Sequence, residues 1–155
     1  MRMFWPRVLA VFPLGLLLGS CGKETGSVQN FRYRWVTLPD GAKIRAELAA
    51  RPEDLLRGMQ YREHLAEDHG MLFVHSKEGY YPYWMHKVRI PLDIIWLDKD
   101  RRIVQVVHRA PPCRTEAAMC PSYGGGFLAR FVLELNAGMG DKHKMEPGAA
   151  VEFAF

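Results

Sequence analysis

From Phe31 the chain alternates with period two. Phe31, Tyr33 and Trp35 fall on one face and Arg32 and Arg34 on the other, which predicts a half-buried strand. The turn Pro39-Asp40-Gly41 leads into a second alternating run with Ile44, Ala46 and Leu48 on one face, a hairpin-like pair. The period changes over Arg51–Leu65. Pro52 suits a first helical turn, Glu53 and Asp54 complement the positive end of the helix dipole, and Leu55, Leu56 and Met59 share a face. Gly58 is costly inside such a helix, by about 1 kcal/mol against Ala. Either the helix ends near it, or another element packs closely on it. Gly70–His75 is a short apolar run sized for a buried strand, and Lys77–Tyr83 reads as a loop. Further strands are predicted at Trp84–Val88, Leu92–Asp98, Arg102–Ala110 and Arg130–Gly138, with Met139–Gly148 as a turn region and Ala150–Phe155 closing the chain. Many short strands around one or two short helices predict an α+β fold, compact, mostly antiparallel and barrel-like.

The first twenty residues stand apart. Arg2 and Arg7 precede or border an apolar run, Val8–Leu18, too short to span a bilayer as a helix, which needs about 20 apolar residues. A positive head followed by a short apolar run predicts a signal peptide over residues 1–20. "LGSC", Leu18–Cys21, looks like a bacterial lipobox, in which small residues admit the chain to the peptidase and the cysteine thiol receives the lipid. Gly22 after the cysteine resembles Gram-negative lipoproteins sent to the outer membrane. Lipidation of Cys21 would make the bilayer a partner without any spanning segment. Residues 21–30 are small and polar, a flexible tether, and one domain is expected over 31–155.

Composition narrows the classes. The chain is 48% hydrophobic and 25% charged, which suits a folded core and argues against disorder. Loss of Arg2 and Arg7 with the signal takes 21 basic residues to 19 against 17 acids, so the formal charge falls from +4 to +2. No basic run interleaved with aromatics is present, and nucleic acid is not expected as a partner. Cys113 and Cys120 then form an even pair; an oxidising compartment favours a disulfide, with a soft-metal site beside Met119 as the alternative. The histidines are scattered without close metal-ligand spacing, so no metal or cofactor is expected.

Four ordered segments carry a resemblance: "RGMQYRE" (Arg57–Glu63), "GMLFVH" (Gly70–His75), "YWMHKVRIPLDIIWLD" (Tyr83–Asp98) and "FVLELNAG" (Phe131–Gly138). Together they resemble the domain of unknown function 192 family over about Ala46–Glu152. The resemblance implies a compact β-rich domain with a helix or two, and no activity, cofactor or partner. The chain departs from the family pattern at Met59 and Gln60, and at His86, Lys87 and Val88, where the family carries Lys-Asn-Thr.

The candidate site residues follow from polar groups in apolar settings. Trp84 is a candidate pocket wall beside Tyr81 or Tyr83, against the alternative of core filling; strand alternation sends Trp84 and Met85 to opposite sides. Asp93 follows Ile90-Pro91-Leu92, and Glu134 sits between Leu133 and Leu135; a bare buried carboxylate is prohibitive, so each needs water or a partner. Arg57 and Arg62 are the expected partners of Glu134. Arg57, Arg62, Trp84, Asp93 and Glu134 thus form one expected polar constellation, either a ligand pocket or a set of ion pairs fixing a helix to the sheet.

Three functions follow. The first is a lipid-anchored periplasmic domain binding a small molecule or an envelope protein, without catalysis. The second is a hydrolase of an envelope carbohydrate or peptide that uses Asp93 and Glu134 as paired carboxylates. The third is a purely structural lipoprotein.

Overall fold

A computed structural model of the chain describes Met1 and residues 33–155. The signal peptide, the lipobox with Cys21, the tether and Phe31 lie outside the described residues. Six strands form one sheet in the order β1-β2-β3-β8-β5-β6, and β4 and β7 form a separate pair. In chain order these are β1 (Tyr33–Thr37), β2 (Lys43–Ala49), α1 (Pro52–Arg57), β3 (His69–Gly79), β4 (Pro82–Trp84), β5 (Leu92–Leu97), β6 (Ile103–Ala110), β7 (Ser122–Gly124), β8 (Ala129–Asn136) and α2 (Met139–Lys142). A single 3-10 turn, Ala117–Met119, lies inside the disulfide loop. The α+β class and the antiparallel majority hold, but the sheet is mixed and open. β2 and β3 run parallel because α1 and its following loop carry the chain back over the sheet, and β1 and β6 are left as edges, so no barrel closes.

The two faces of the sheet carry two cores. Ile44, Ala46, Leu72, Ile95, Leu133 and Leu135 belong to one, capped by Met139 of α2 and by Val151 and Phe153 of the C-terminal segment. Met71, Phe73, Ile94, Trp96 and Val132 belong to the other, covered by Met59, Met85 and Val88 from the loops after α1 and β4. Every residue of β5 is buried, which explains its continuous apolar reading: it is covered on both faces.

Two local expectations are corrected. On β1 the inward residue is Val36, while Trp35 is 65% exposed. The register forces this, because Val36 faces Ile44 and Arg34 faces Ala46, leaving Tyr33 and Trp35 opposite Glu47 and Arg45. The tyrosine ring is instead used by Arg45, whose guanidinium lies 3.8 Å over it. The long helix expected over Arg51–Leu65 stops at Arg57. Both readings of Gly58 hold at once: it ends α1 with φ +48°, and a Cβ there would sit 3.1 Å from Phe73 Cζ. The segment read as a loop from Lys77 is partly strand, since β3 continues through an irregular register to Gly79.

Candidate functional site

Asp93 and Glu134 are both buried, at 0% and 4% exposure, and they are not together. In the β5–β8 ladder Asp93 faces Leu135 while Glu134 faces Ile94, so the carboxylates project from opposite faces of the sheet. The expected constellation is therefore corrected at Asp93. Its Oδ1 accepts the Arg109 N–H at 2.7 Å and its Oδ2 accepts the Gly140 N–H at 2.6 Å. Arg109 has φ +50° at the end of β6, and Gly140 opens α2 where a Cβ would press on Asp93 Oδ2 and His108 at 3.0 Å. Asp93 thus ties β6 and α2 to the sheet through the buried Gly140 N–H and the part-buried Arg109 N–H.

Glu134 lies on the other face in a row of four strands, Glu47 on β2, Met71 on β3, Glu134 on β8 and Ile94 on β5. Among the described residues its Oε2 is buried with no hydrogen-bond partner. Burial pushes its carboxyl up to about 8, and the Arg62 charge opposes this only in part. Burial thus favours the protonated carboxyl, the form able to donate as well as accept.

Arg62 reaches this row at Glu47. Its Nη1 and Nη2 donate to the two oxygens of Glu47, each at 2.5 Å, a bidentate pair with Glu47 buried. Glu47 was not singled out in the sequence because strand alternation places it on the polar side of β2; the loop after α1 covers that side and supplies the arginine.

Arg57, Trp84 and Glu134 do share a space. With Gly58, Phe73 and Tyr83 they line a narrow cleft of about 40 Å³, room for a few waters or one polar group. Trp84 is 43% exposed while its neighbour Met85 is fully buried, so Trp84 is a wall and not core. The aromatic side is braced. Tyr83 packs edge-on against Phe73 and Trp96, with centroids 5.1 and 5.9 Å apart, and its Oη shares a 3.1 Å hydrogen bond with His75 Nε2. Burial, with the charges of Glu134 and Tyr81 behind it, raises the Tyr83 phenol above its ordinary range, and burial with Arg130 lowers His75 to about 4. Both are neutral, so the aromatic side of the cleft is uncharged, and Arg57 is the cation among its lining residues.

His86 and Val88 line this cleft and also a wider bowl of about 470 Å³, walled by Tyr61, Lys87, Arg89, Arg114 and Thr115. The Cys113–Cys120 disulfide, expected from the sequence, closes the loop that forms one rim of the bowl. The bowl residues carried no motif that sequence reasoning would isolate; the altered stretch His86-Lys87-Val88 was their one signal.

With this geometry in view, the DUF192 family model, described as uncharacterized ACR, COG1430, matches residues 36–153. The chain belongs to the DUF192 family. Two solved structures share its fold. One, described as a "putative transcription regulator" from Sinorhizobium meliloti 1021, is 29% identical with a TM-score of 0.72, covering 79% of this chain and 95% of that one. The other is a protein of unknown function from Novosphingobium aromaticivorans DSM 12444, 29% identical with a TM-score of 0.69, covering 79% of this chain and 84% of that one. No curated protein matches significantly. The matched span of this DUF192 chain includes every residue of the cleft and the bowl.

Proposed function

We propose that this DUF192 protein is an exported, lipid-anchored binding domain that takes a small molecule at the Glu134 cleft. The observation that carries the reading is the Glu134 Oε2, buried and without a hydrogen-bond partner at the end of a cleft walled by Trp84 and Tyr83. A buried carboxyl oxygen left unpaired is unfavourable for the empty protein, and a ligand hydroxyl or carbonyl entering the cleft relieves that cost. The cleft admits one such group, and the bowl beyond His86 and Val88 accommodates the rest of a small molecule. An envelope protein fits this geometry less well, because the unpaired group lies at the end of a narrow opening. The lipid anchor rests on the Leu18–Cys21 motif and the preceding apolar run.

The test is mass spectrometry of small molecules retained by the purified full chain, for the wild type and for Glu134→Gln and Glu134→Met. Retention is expected in the wild type and in Glu134→Gln, whose amide still donates and accepts, and loss is expected in Glu134→Met. Equal retention in wild type and Glu134→Met, or none in either, would remove the reading. A second reading is hydrolysis of an envelope carbohydrate or peptide. It draws on the raised acid of Glu134 as proton donor, but its paired base is missing from the cleft because Asp93 faces the other way.

A further inference from the structure

The bowl beside the cleft carries cations on anchored backbone segments, and two of them, Lys87 and Arg114, have no acidic partner among the described residues. Its chain segments are pinned on both sides. Tyr61 and Lys87 both adopt the left-handed region, φ +64° and +61°, and the Tyr61 N–H donates to the Lys87 carbonyl at 2.8 Å. Two bulky non-glycine residues in that region, joined to each other, are a costly arrangement that the surrounding structure must enforce. Opposite them, the Cys113 N–H donates to the Met85 carbonyl at 3.1 Å, and the disulfide fixes Cys113, so Arg114 projects from an anchored point. Arg89 is ion-paired with Glu63. Among the described residues Lys87 has only the Tyr61 ring within cation–π range, at 5.7 Å, and neither Lys87 nor Arg114 has an acidic partner.

We propose that this bowl is an anion-binding subsite of the Glu134 cleft: Lys87 and Arg114 seat a phosphate or carboxylate group, and His86 and Thr115 line the same wall. This deepens the proposed function and rests on it, since the two spaces share His86 and Val88. The ligand class is then a small molecule with an anionic group at one end and a neutral hydroxyl or carbonyl at the other. The division follows from charge. Among the described residues no acid lines the bowl and Lys87 and Arg114 lack acidic partners, so an anion is favoured there, while in the cleft ionisation of the buried Glu134 would oppose it. Arginine supplies a planar fork and lysine a point charge, the usual combination for gripping a tetrahedral or planar anion.

The test uses the full chain, titrated with inorganic phosphate and separately with acetate at low ionic strength and followed by amide chemical shifts. Saturable shifts are expected at Lys87, Val88, Arg114 and Thr115 with at least one of the two probes. Affinity should fall about tenfold or more in Lys87→Gln/Arg114→Gln, in keeping with the worth of a charged hydrogen bond. The remaining spectrum of that double variant should match the wild type. If neither probe gives saturable shifts at these amides, or if both bind the double variant unchanged, the subsite proposal is overturned. That failure is separable from failure of the cleft reading. Glu134→Met can abolish small-molecule retention while the titrations fail, which leaves the cleft and removes the subsite. If the titrations succeed and no variant retains a molecule, the anion seat stands and the cleft reading falls.

Discussion

Asp93 and Glu134 occupy adjacent positions in the β5–β8 ladder, one opposite Leu135 and the other opposite Ile94, and they project from opposite faces of the sheet. Two carboxylates that flank one glycosidic bond must share a cleft, about 5 to 10 Å apart. This pair is divided by the sheet itself, so the two acids have unrelated work. One satisfies backbone donors, and the other sits unpaired at the cleft.

Asp93 should behave as a structural residue alone. Replacing it with Ala leaves the buried Gly140 N–H and the part-buried Arg109 N–H without their acceptor and should destabilise the fold by about 2 to 3 kcal/mol. Urea denaturation checks this. The double variant Asp93→Ala/Glu134→Gln should be additive within about 0.5 kcal/mol, because the sites share no partner. A larger coupling would mean that the two residues act together.

Glu134 should make stability depend on pH. Its folded value, about 8, lies above the ordinary 4.5. Between those values the folded chain keeps a proton that the unfolded chain releases, so stability falls as pH rises through the window and levels off above it. The slope contributed is on the order of 1 to 2 kcal/mol per pH unit at its steepest. Glu134→Gln should lack this loss. It should match the wild type near the lower limit and exceed it at alkaline pH, by denaturant midpoints across the range.

The Arg62–Glu47 pair should matter to both stability and the cleft. Arg62→Met leaves Glu47 buried without its bidentate partner, at an expected cost of about 2 to 4 kcal/mol. It also removes the cation that holds the Glu134 carboxyl down, so the Glu134 titration should move to higher pH.

Gly124 backs Trp96 so closely that a Cβ would lie 2.2 Å from its Cζ2, and its φ is +71°. Gly124→Ala should therefore cost about 2 to 4 kcal/mol and detach the β4–β7 pair, because Trp96 also donates its indole N–H to the Tyr81 carbonyl at 2.8 Å. Thermal unfolding of the full chain reads the effect.

The lipid anchor has its own check. Cys21→Ala should release the protein from membranes into the soluble fraction on cell fractionation, since one thiol is the proposed attachment. Unchanged membrane retention would contradict the anchor.

Much of the fold is written locally. The alternation around Ile44, Ala46 and Leu48 and the unbroken run Leu92–Leu97 are strands for reasons contained in their own spacing. Gly58 marked both a helix end and a close approach, although only the structure showed that the approaching group is Phe73. What the spacing did not contain was register. Trp35 and Val36 both suit a strand, and the choice of face is made by Ile44 across the hairpin. The same limit applies to the site. Arg57, Trp84 and Glu134 were legible as polar or aromatic residues out of place, and they do converge. Asp93 looked equivalent to Glu134, yet its partners are backbone groups of β6 and α2, far away in sequence. Glu47 falls opposite Ile44, Ala46 and Leu48 by alternation, and a covering loop leaves no mark on the strand it covers.

The central claim is that Glu134 is a neutral, unpaired acid at the end of the cleft. Its most direct test is a carbon-13 NMR titration of the side-chain carboxyl in the full chain, with the resonance assigned by its disappearance in Glu134→Gln. A midpoint near 8 is expected. A midpoint at or below the ordinary carboxylate range, near 4.5, would show a charged and satisfied group, and the proposed site would fall with it.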